Sequence, residues 1–337
     1  MNYRDRKQDH QAILRDRAER LAAMLCDCTL CPRRCRVNRL KGEKGFCGIG
    51  DRALVSSVLA HHGEEPPISG SGGAGTIFFA SCNLRCRFCQ NYQISHRAAG
   101  TPMDGAALAD EMLRLQDDGC HNIEAVTATP QVAALVGSLS RAVEKGLSLP
   151  LVYNCGGYED PDVIDLLEGI VDVYLPDLKF GLAEDALRFT GVEDYVETAL
   201  AAIGKMLAQV GPEPEFEGGI MRKGMIIRHL VLPGSMENSR RVLRLIREHL
   251  SAAVPLSIMS QYTPVPPVAD DPVLGRRVTR REYEEVVNEA LDLGFEYLFV
   301  QEVSDLALAP DFDRGKPFQW AGPGDTKEPT ETSRGET

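Results

Sequence analysis

From residue 76 onward, short apolar runs alternate with longer stretches in which apolar side chains recur every three or four positions. The runs at 76–80, 123–127, 151–154, 171–175, 225–232, 255–260 and 297–301 have the length and texture of buried strands. The segments between them read as amphipathic helices. In 104–116, Leu108, Met112 and Leu115 share a face and Asp104 is placed to cap the N-terminus. A second helix spans 236–250, after Ser235. A third starts at Thr279, where Glu282 has capping-box spacing. Strand–helix repetition of this kind builds a parallel sheet, and enough repeats need a closed or nearly closed barrel to cover the sheet edges.

Ahead of this region the texture differs. Residues 8–24 place Ile13, Leu14, Ala18, Leu21 and Met24 at helical spacing, and 53–60 read as a strand. Between them lies a turn-rich, cysteine-rich segment, 26–50. A Gly/Pro-rich loop follows at 61–75. The expected fold class is therefore α/β: a partial or complete TIM-type barrel with an N-terminal cysteine-rich, metal-binding extension. The expected divisions are 1–60 for the extension, 61–320 for the barrel and 321–337 for a polar, disordered tail.

Composition changes this picture little. Of 337 residues, 43% are apolar and 26% charged, enough to bury a large core. The net charge of −12 argues against an extended nucleic-acid surface. The charged start MNYRDRKQDHQ has no apolar signal region, and no run approaches a membrane span. A cytoplasmic protein is expected, with its ten cysteines present as thiols rather than disulfides. Eight of the ten fall between positions 26 and 89, the clustering of metal ligands.

Directly after the run TIFFA, the sequence SCNLRCRFCQN gives Cys82-x3-Cys86-x2-Cys89. A cubane cluster has four irons and normally takes four thiolates. Three on one tight loop leave one iron open for a small molecule, as at open catalytic metal sites generally. A loop leaving the C-terminal end of a barrel strand is also where barrel active sites sit. A zinc knuckle, or a structural site with a distant fourth ligand, is the competing reading of the spacing. Farther upstream, Cys28, Cys31, Cys35 and Cys47 provide four thiolates within twenty residues, a closed site for zinc or for an auxiliary iron–sulfur cluster.

CNLRCRFCQN resembles the signature of the radical S-adenosylmethionine (SAM) enzymes, in particular the branch related to pyruvate formate-lyase activating enzyme. CTLCPRRCRVNRLKGEKGFCGIG, HHGEEPPISG, VYLPDLKF and IIRHLVLPG further resemble a subgroup described as pyruvate formate-lyase activating enzyme-like iron–sulfur proteins. The resemblance implies a 4Fe–4S cluster on Cys82, Cys86 and Cys89 and SAM on the open iron. Reductive cleavage of SAM would then give a 5′-deoxyadenosyl radical that abstracts hydrogen from a substrate, small molecule or protein. It implies SAM contacts at Asn154 in YNCGGY, at Asp177 and Lys179 in PDLKF, and at Arg228 in IIRHLVLPG, and an electron donor such as flavodoxin or ferredoxin. Thr127-Ala128-Thr129-Pro130 departs from the Gly-Gly-Glu run of many relatives, which leaves the Thr127 and Thr129 hydroxyls as substitutes.

Each of these residues also has a plainer reading. Asp177–Lys179 is a surface ion pair, Arg228 a rim residue, His229 a satisfied core histidine, Gln261 and Tyr262 packing residues, and Cys155 inert. The segment HHGEEPP is a lid or substrate contact, or simply a solvated loop. At the level of function, the radical SAM reaction competes with activation of a glycyl-radical partner enzyme, and with a non-catalytic metal-binding protein.

Overall fold

The computed structural model describes residues 7–304, 309–314 and 317–318, so the tail expected at 321–337 lies outside the described residues. Helix α1 (Lys7–Ala23) opens the chain, and the cysteine-rich turns lead into strand β1 (Ala53–His61). After a one-turn helix α2 (Pro66–Ser69) comes β2 (Ala74–Phe79), then α3 (Tyr92–Ser95), β3 (Thr101–Met103) and α4 (Gly105–Asp117). The alternation continues through β4 (Ile123–Val126), α5 (Val132–Glu144), β5 (Leu151–Cys155), α6 (Pro161–Leu166), β6 (Val173–Pro176), α7 (Ala183–Thr190) and α8 (Tyr195–Val210). It ends with β7 (Glu215–Glu217), β8 (Ile220–Met225), β9 (Ile227–Leu230), α9 (Met236–His249), β10 (Leu256–Met259), α10 (Arg280–Asp292) and β11 (Leu298–Val300).

The strands form an eight-stranded sheet ordered β3-β1-β2-β4-β5-β6-β8-β7 and a three-stranded sheet ordered β11-β10-β9. Strands β2, β4, β5, β6 and β8 run parallel, as do β9, β10 and β11. A parallel bridge between Asp177 and Arg228 joins the two sheets. The result is a partial TIM-type barrel, with β1 and β3 added antiparallel outside β2.

The single strand expected at 225–232 is two strands that part at Ile226. The first half pairs with β6 and the second with β10, so the chain bends as it passes from one sheet to the other. The hairpin β7–β8 had no alternation in the sequence to announce it, since EFE is exposed throughout.

Burial explains the apolar runs. Every residue of β2, β4, β6 and β10 is buried, as parallel strands covered on both faces must be. Helix α5 buries Val132, Leu135, Val136 and Leu139 on one face. Each such side chain contributes roughly 1.5–3 kcal/mol. The expected helix starts are present: Asp104 accepts from the Ala106 and Ala107 amides, and Thr279 with Glu282 forms a complete capping box.

Candidate functional site: a cysteine-lined cavity at the strand ends

Loop 80–91 leaves β2 at its C-terminal end and carries Cys82, Cys86 and Cys89 into one cavity of about 160 Å³. The loop is wound tightly enough that Ser81 and Arg85 adopt left-handed backbone angles, φ 72° and 58° being reached at Ser81 and at Thr127 across the cavity and 52° at Arg85. Such strain persists only where surrounding contacts enforce it. Here the Ser81 amide donates to Ile94 O (2.8 Å), its hydroxyl to Cys47 O (2.5 Å), and Phe88 packs edge-on against Phe180 and Phe189.

Two of the three sulfurs accept hydrogen bonds. The Leu84 amide donates to Cys82 Sγ (3.3 Å) and the Ser95 hydroxyl to Cys89 Sγ (3.3 Å). Burial pushes all three thiols up, while the Lys179 ammonium acts in the opposite direction. A bound cation is what converts such buried thiols to thiolates. A cubane places each thiolate on a different iron, so three thiolates lining one cavity would leave one iron without a protein ligand.

Asn154 near the end of β5, Asp177 and Lys179 just beyond β6, and Arg228 in the first half of β9 line the same cavity. Asn154 Nδ2 donates to Glu124 Oε1 (2.7 Å), whose other oxygen accepts from Thr76 Oγ1 (2.7 Å). Lys179 pairs with Asp177. Burial opposes the Lys179 charge, but Asp177 holds its pKa above the usual lysine value. The pair is thus a cavity wall and not a surface salt bridge. Arg228 lies between two carboxylates, Glu64 Oε2 at 3.0 Å and Glu65 Oε1 at 3.2 Å, instead of covering the rim. Burial and the neighbouring Glu124 charge push Glu64 well above the glutamate range, against the lowering effect of Arg228.

The loop reading of HHGEEPP is corrected by this arrangement: Glu64 and Glu65 are buried, and His61 and Glu64 line the cavity. Burial, followed by the Arg228 and His62 charges, lowers His61 to about 4. Thr127 lines the cavity; Thr129 is buried and donates to Glu159 Oε1 (2.6 Å), so its hydroxyl is committed elsewhere. His229 is a satisfied core histidine, bonded to Leu178 O and Ser239 Oγ. Tyr262 donates to Leu274 O, whereas Gln261 reaches the cavity. Cys155 is buried at the cavity wall, and burial raises its thiol well above the ordinary range. Glu124 was missed; its signal was a lone acid in the otherwise apolar run IEAV.

Cys28, Cys31, Cys35 and Cys47 line a second, smaller cavity with Arg33, Arg39 and Asn83. Cys26 is exposed. The Phe46 amide donates to Cys35 Sγ (3.4 Å), and burial pushes the Cys31 thiol up to about 12.

An α/β barrel that collects three cysteines and a polar strand-end wall in one cavity defines a cofactor-dependent class of enzyme. The chain belongs to the radical SAM superfamily, whose profile matches residues 76–246. Membership implies a 4Fe–4S cluster and SAM, and the donor set described above fits both. The uncharacterized protein MJ0674 of Methanocaldococcus jannaschii is 32% identical over 284 residues, 80% of this chain and 75% of that protein. Among solved structures, SuiB of Streptococcus suis bound to S-adenosylmethionine superposes with a TM-score of 0.44 at 10% identity, over 66% of this chain and 48% of SuiB. SuiB bound to its precursor peptide SuiA gives 0.43, again at 10% identity, over 66% and 47%. The chain thus spans about half the length of SuiB. No described helix is long and apolar enough to cross a membrane.

Proposed function

We propose that Cys82, Cys86 and Cys89 hold the 4Fe–4S cluster, and that SAM binds beside it against Asn154, Asp177, Lys179 and Arg228. The bound pair supplies reductive cleavage of SAM and hydrogen abstraction from a substrate. The chain's own residues bind, orient and shield. Lys179 offers a fixed positive charge beside the three thiolates. The Thr76–Glu124–Asn154 column fixes the Asn154 side-chain amide at the cavity wall. Glu64 and Glu65 fix the Arg228 guanidinium. Phe78, Ile94, Val126 and Leu230 form an apolar wall that limits water around a reactive intermediate.

The observation that carries this reading is the common cavity: the three cysteines on the β2 loop and the polar side chains from three later strands face one another across it. The same feature weighs against a non-catalytic metal protein, which has no use for a polar wall opposite its ligands. We place the chain in the pyruvate formate-lyase activating enzyme-like subgroup on the motifs quoted above, with 1–60 as a second metal-binding module on Cys28, Cys31, Cys35 and Cys47, and 61–320 as the barrel. Activation of a glycyl-radical enzyme rests on fold analogy alone and is the weaker assignment.

Anaerobic reconstitution tests the reading. The intact chain should show a cluster spectrum perturbed by SAM and should release 5′-deoxyadenosine under reduction. Cys86→Ala should lose both while the metal on the N-terminal cysteines stays. An intact, iron-loaded chain that neither responds to SAM nor yields 5′-deoxyadenosine would sink it.

A further inference from the structure

The four-cysteine cavity contains a buried cation with no acid paired to it among the described residues. Arg39 is 3% exposed, and its acceptors are Gly50 O (2.8 and 2.5 Å), Pro130 O (2.7 Å) and Cys28 Sγ (3.8 Å), none of them a carboxylate. A guanidinium is buried at acceptable cost only beside negative charge. Metal-bound thiolates supply it. Four soft thiolates around one cavity suit either zinc or an iron–sulfur cluster, and only the cluster can pass an electron to a neighbouring site.

This cavity adjoins the first. Cys82 and Leu84 line the large cavity, and Asn83 between them lines the small one, so the 82–84 segment borders both. The segment is tied to the cysteine-rich module at several points. Arg33 Nε donates to Asn83 O (3.0 Å), while Ser81 Oγ and Arg85 Nη2 both donate to Cys47 O. The Arg33 and Arg85 guanidinium groups both stack on the Phe46 ring, 3.9 and 4.8 Å from its centroid.

The outer side of the module is charged against the rest of the protein. Residues 28–50 carry six basic residues and one acid, in a chain of net charge −12. Arg34 and Arg36 are engaged with Asp160 and Asp27, but Lys41 and Lys44 are exposed beside the exposed apolar residues Leu40 and Phe46. A small apolar patch with a basic rim matches an acidic protein surface.

We propose that the N-terminal module is the electron-entry port: Cys28, Cys31, Cys35 and Cys47 hold an iron–sulfur cluster, and an acidic one-electron carrier protein docks on Lys41, Lys44, Leu40 and Phe46. One electron leaves the reduced carrier, resides on the N-terminal cluster, and crosses the Cys82–Leu84 segment to the three-cysteine site; the carrier is oxidised by one electron for each SAM cleaved. Arg39 stabilises the more negative, reduced form and so raises the potential of the entry cluster. The inference rests on the radical SAM reading of the large cavity.

The test separates the two. Cys82→Ser/Cys86→Ser/Cys89→Ser isolates the N-terminal centre; the single Cys86→Ala variant serves if the triple does not fold. After anaerobic reconstitution, the triple variant should hold roughly four irons per chain and titrate reversibly by one electron in EPR. Arg39→Met should keep the iron and move that couple to lower potential. In the full chain driven by reduced flavodoxin, Lys41→Glu/Lys44→Glu should slow 5′-deoxyadenosine formation by about tenfold and abolish its salt dependence, while dithionite-driven formation changes by less than about twofold. Stoichiometric zinc, or an iron centre with no reversible couple, overturns the cluster assignment. A flavodoxin-driven rate unchanged in the double variant overturns the docking surface. Loss of dithionite-driven cleavage in the intact chain would instead indict the large-cavity reading.

Discussion

Replacing Arg228 by Met should destabilise the fold in a pH-dependent way. Arg228 is 11% exposed on its side chain, and its partners Glu64 and Glu65 are 8% and 6% exposed, so the substitution leaves two carboxyls buried without their cation. Removing one partner from a buried ion pair costs about 3–5 kcal/mol. For a chain of this size that corresponds to a fall in Tm of roughly 4–7 °C. The sign of the pH effect follows from Glu64, whose pKa burial raises well above the glutamate range against the lowering effect of Arg228. Above the unfolded-chain value, about 4.3, the unfolded state has released a proton that the native state keeps, so stability falls as pH rises toward the native value. Without Arg228 that window widens, so the loss should be larger at pH 8 than at pH 5.5. Arg228→Met/Glu64→Gln should regain part of the loss and flatten the dependence. Thermal unfolding of metal-free protein under anaerobic, reducing conditions measures all three. A Tm loss in Arg228→Met that is the same at both pH values would refute the reasoning.

Other outcomes follow from single contacts. A Cβ on Gly45 would stand 2.7 Å from both Cβ and Sγ of Cys35, so Gly45→Ala should cost the chain its N-terminal metal while the SAM-responsive cluster remains, as metal counts would show. Glu159, raised to about 8 by burial against the hydrogen bonds from Thr129 and Tyr153, keeps its proton after the unfolded chain has lost it. Stability should therefore fall between about pH 4.5 and 8 through this group, and Glu159→Gln should remove that component from a pH series of denaturant unfolding. Thr279→Ala breaks the capping box of α10 and should cost about 1 kcal/mol by urea titration, with SAM cleavage intact.

Much of this molecule was legible in its sequence because the informative groups are local. Capping at Asp104 and Thr279, the apolar strands and the x3–x2 cysteine spacing each depend on residues within one turn or loop. What stayed hidden depends on long-range contact. Nothing local to HHGEEPP says that Glu64 and Glu65 will meet Arg228, over 160 positions away, so the segment reads as solvated until the barrel closes on it. Likewise Glu124 looks like an intrusion in a strand until Thr76 and Asn154 flank it from the neighbouring strands. The break at Ile226 was invisible because residues 225–227 read as one unbroken apolar run; only the different partners on its two sides distinguish the strands.

The alternation of Cys82, Asn83 and Leu84 between two cavities limits how this protein can be rebuilt. Adding or deleting one residue in that stretch would exchange the faces, sending a ligand to the wrong chamber and an amide or leucine to the other. The cysteine-rich module therefore cannot be cut away, or borrowed from another barrel, as an independent cassette. A working chimera would have to carry 28–50 and 81–91 together, as one inherited unit.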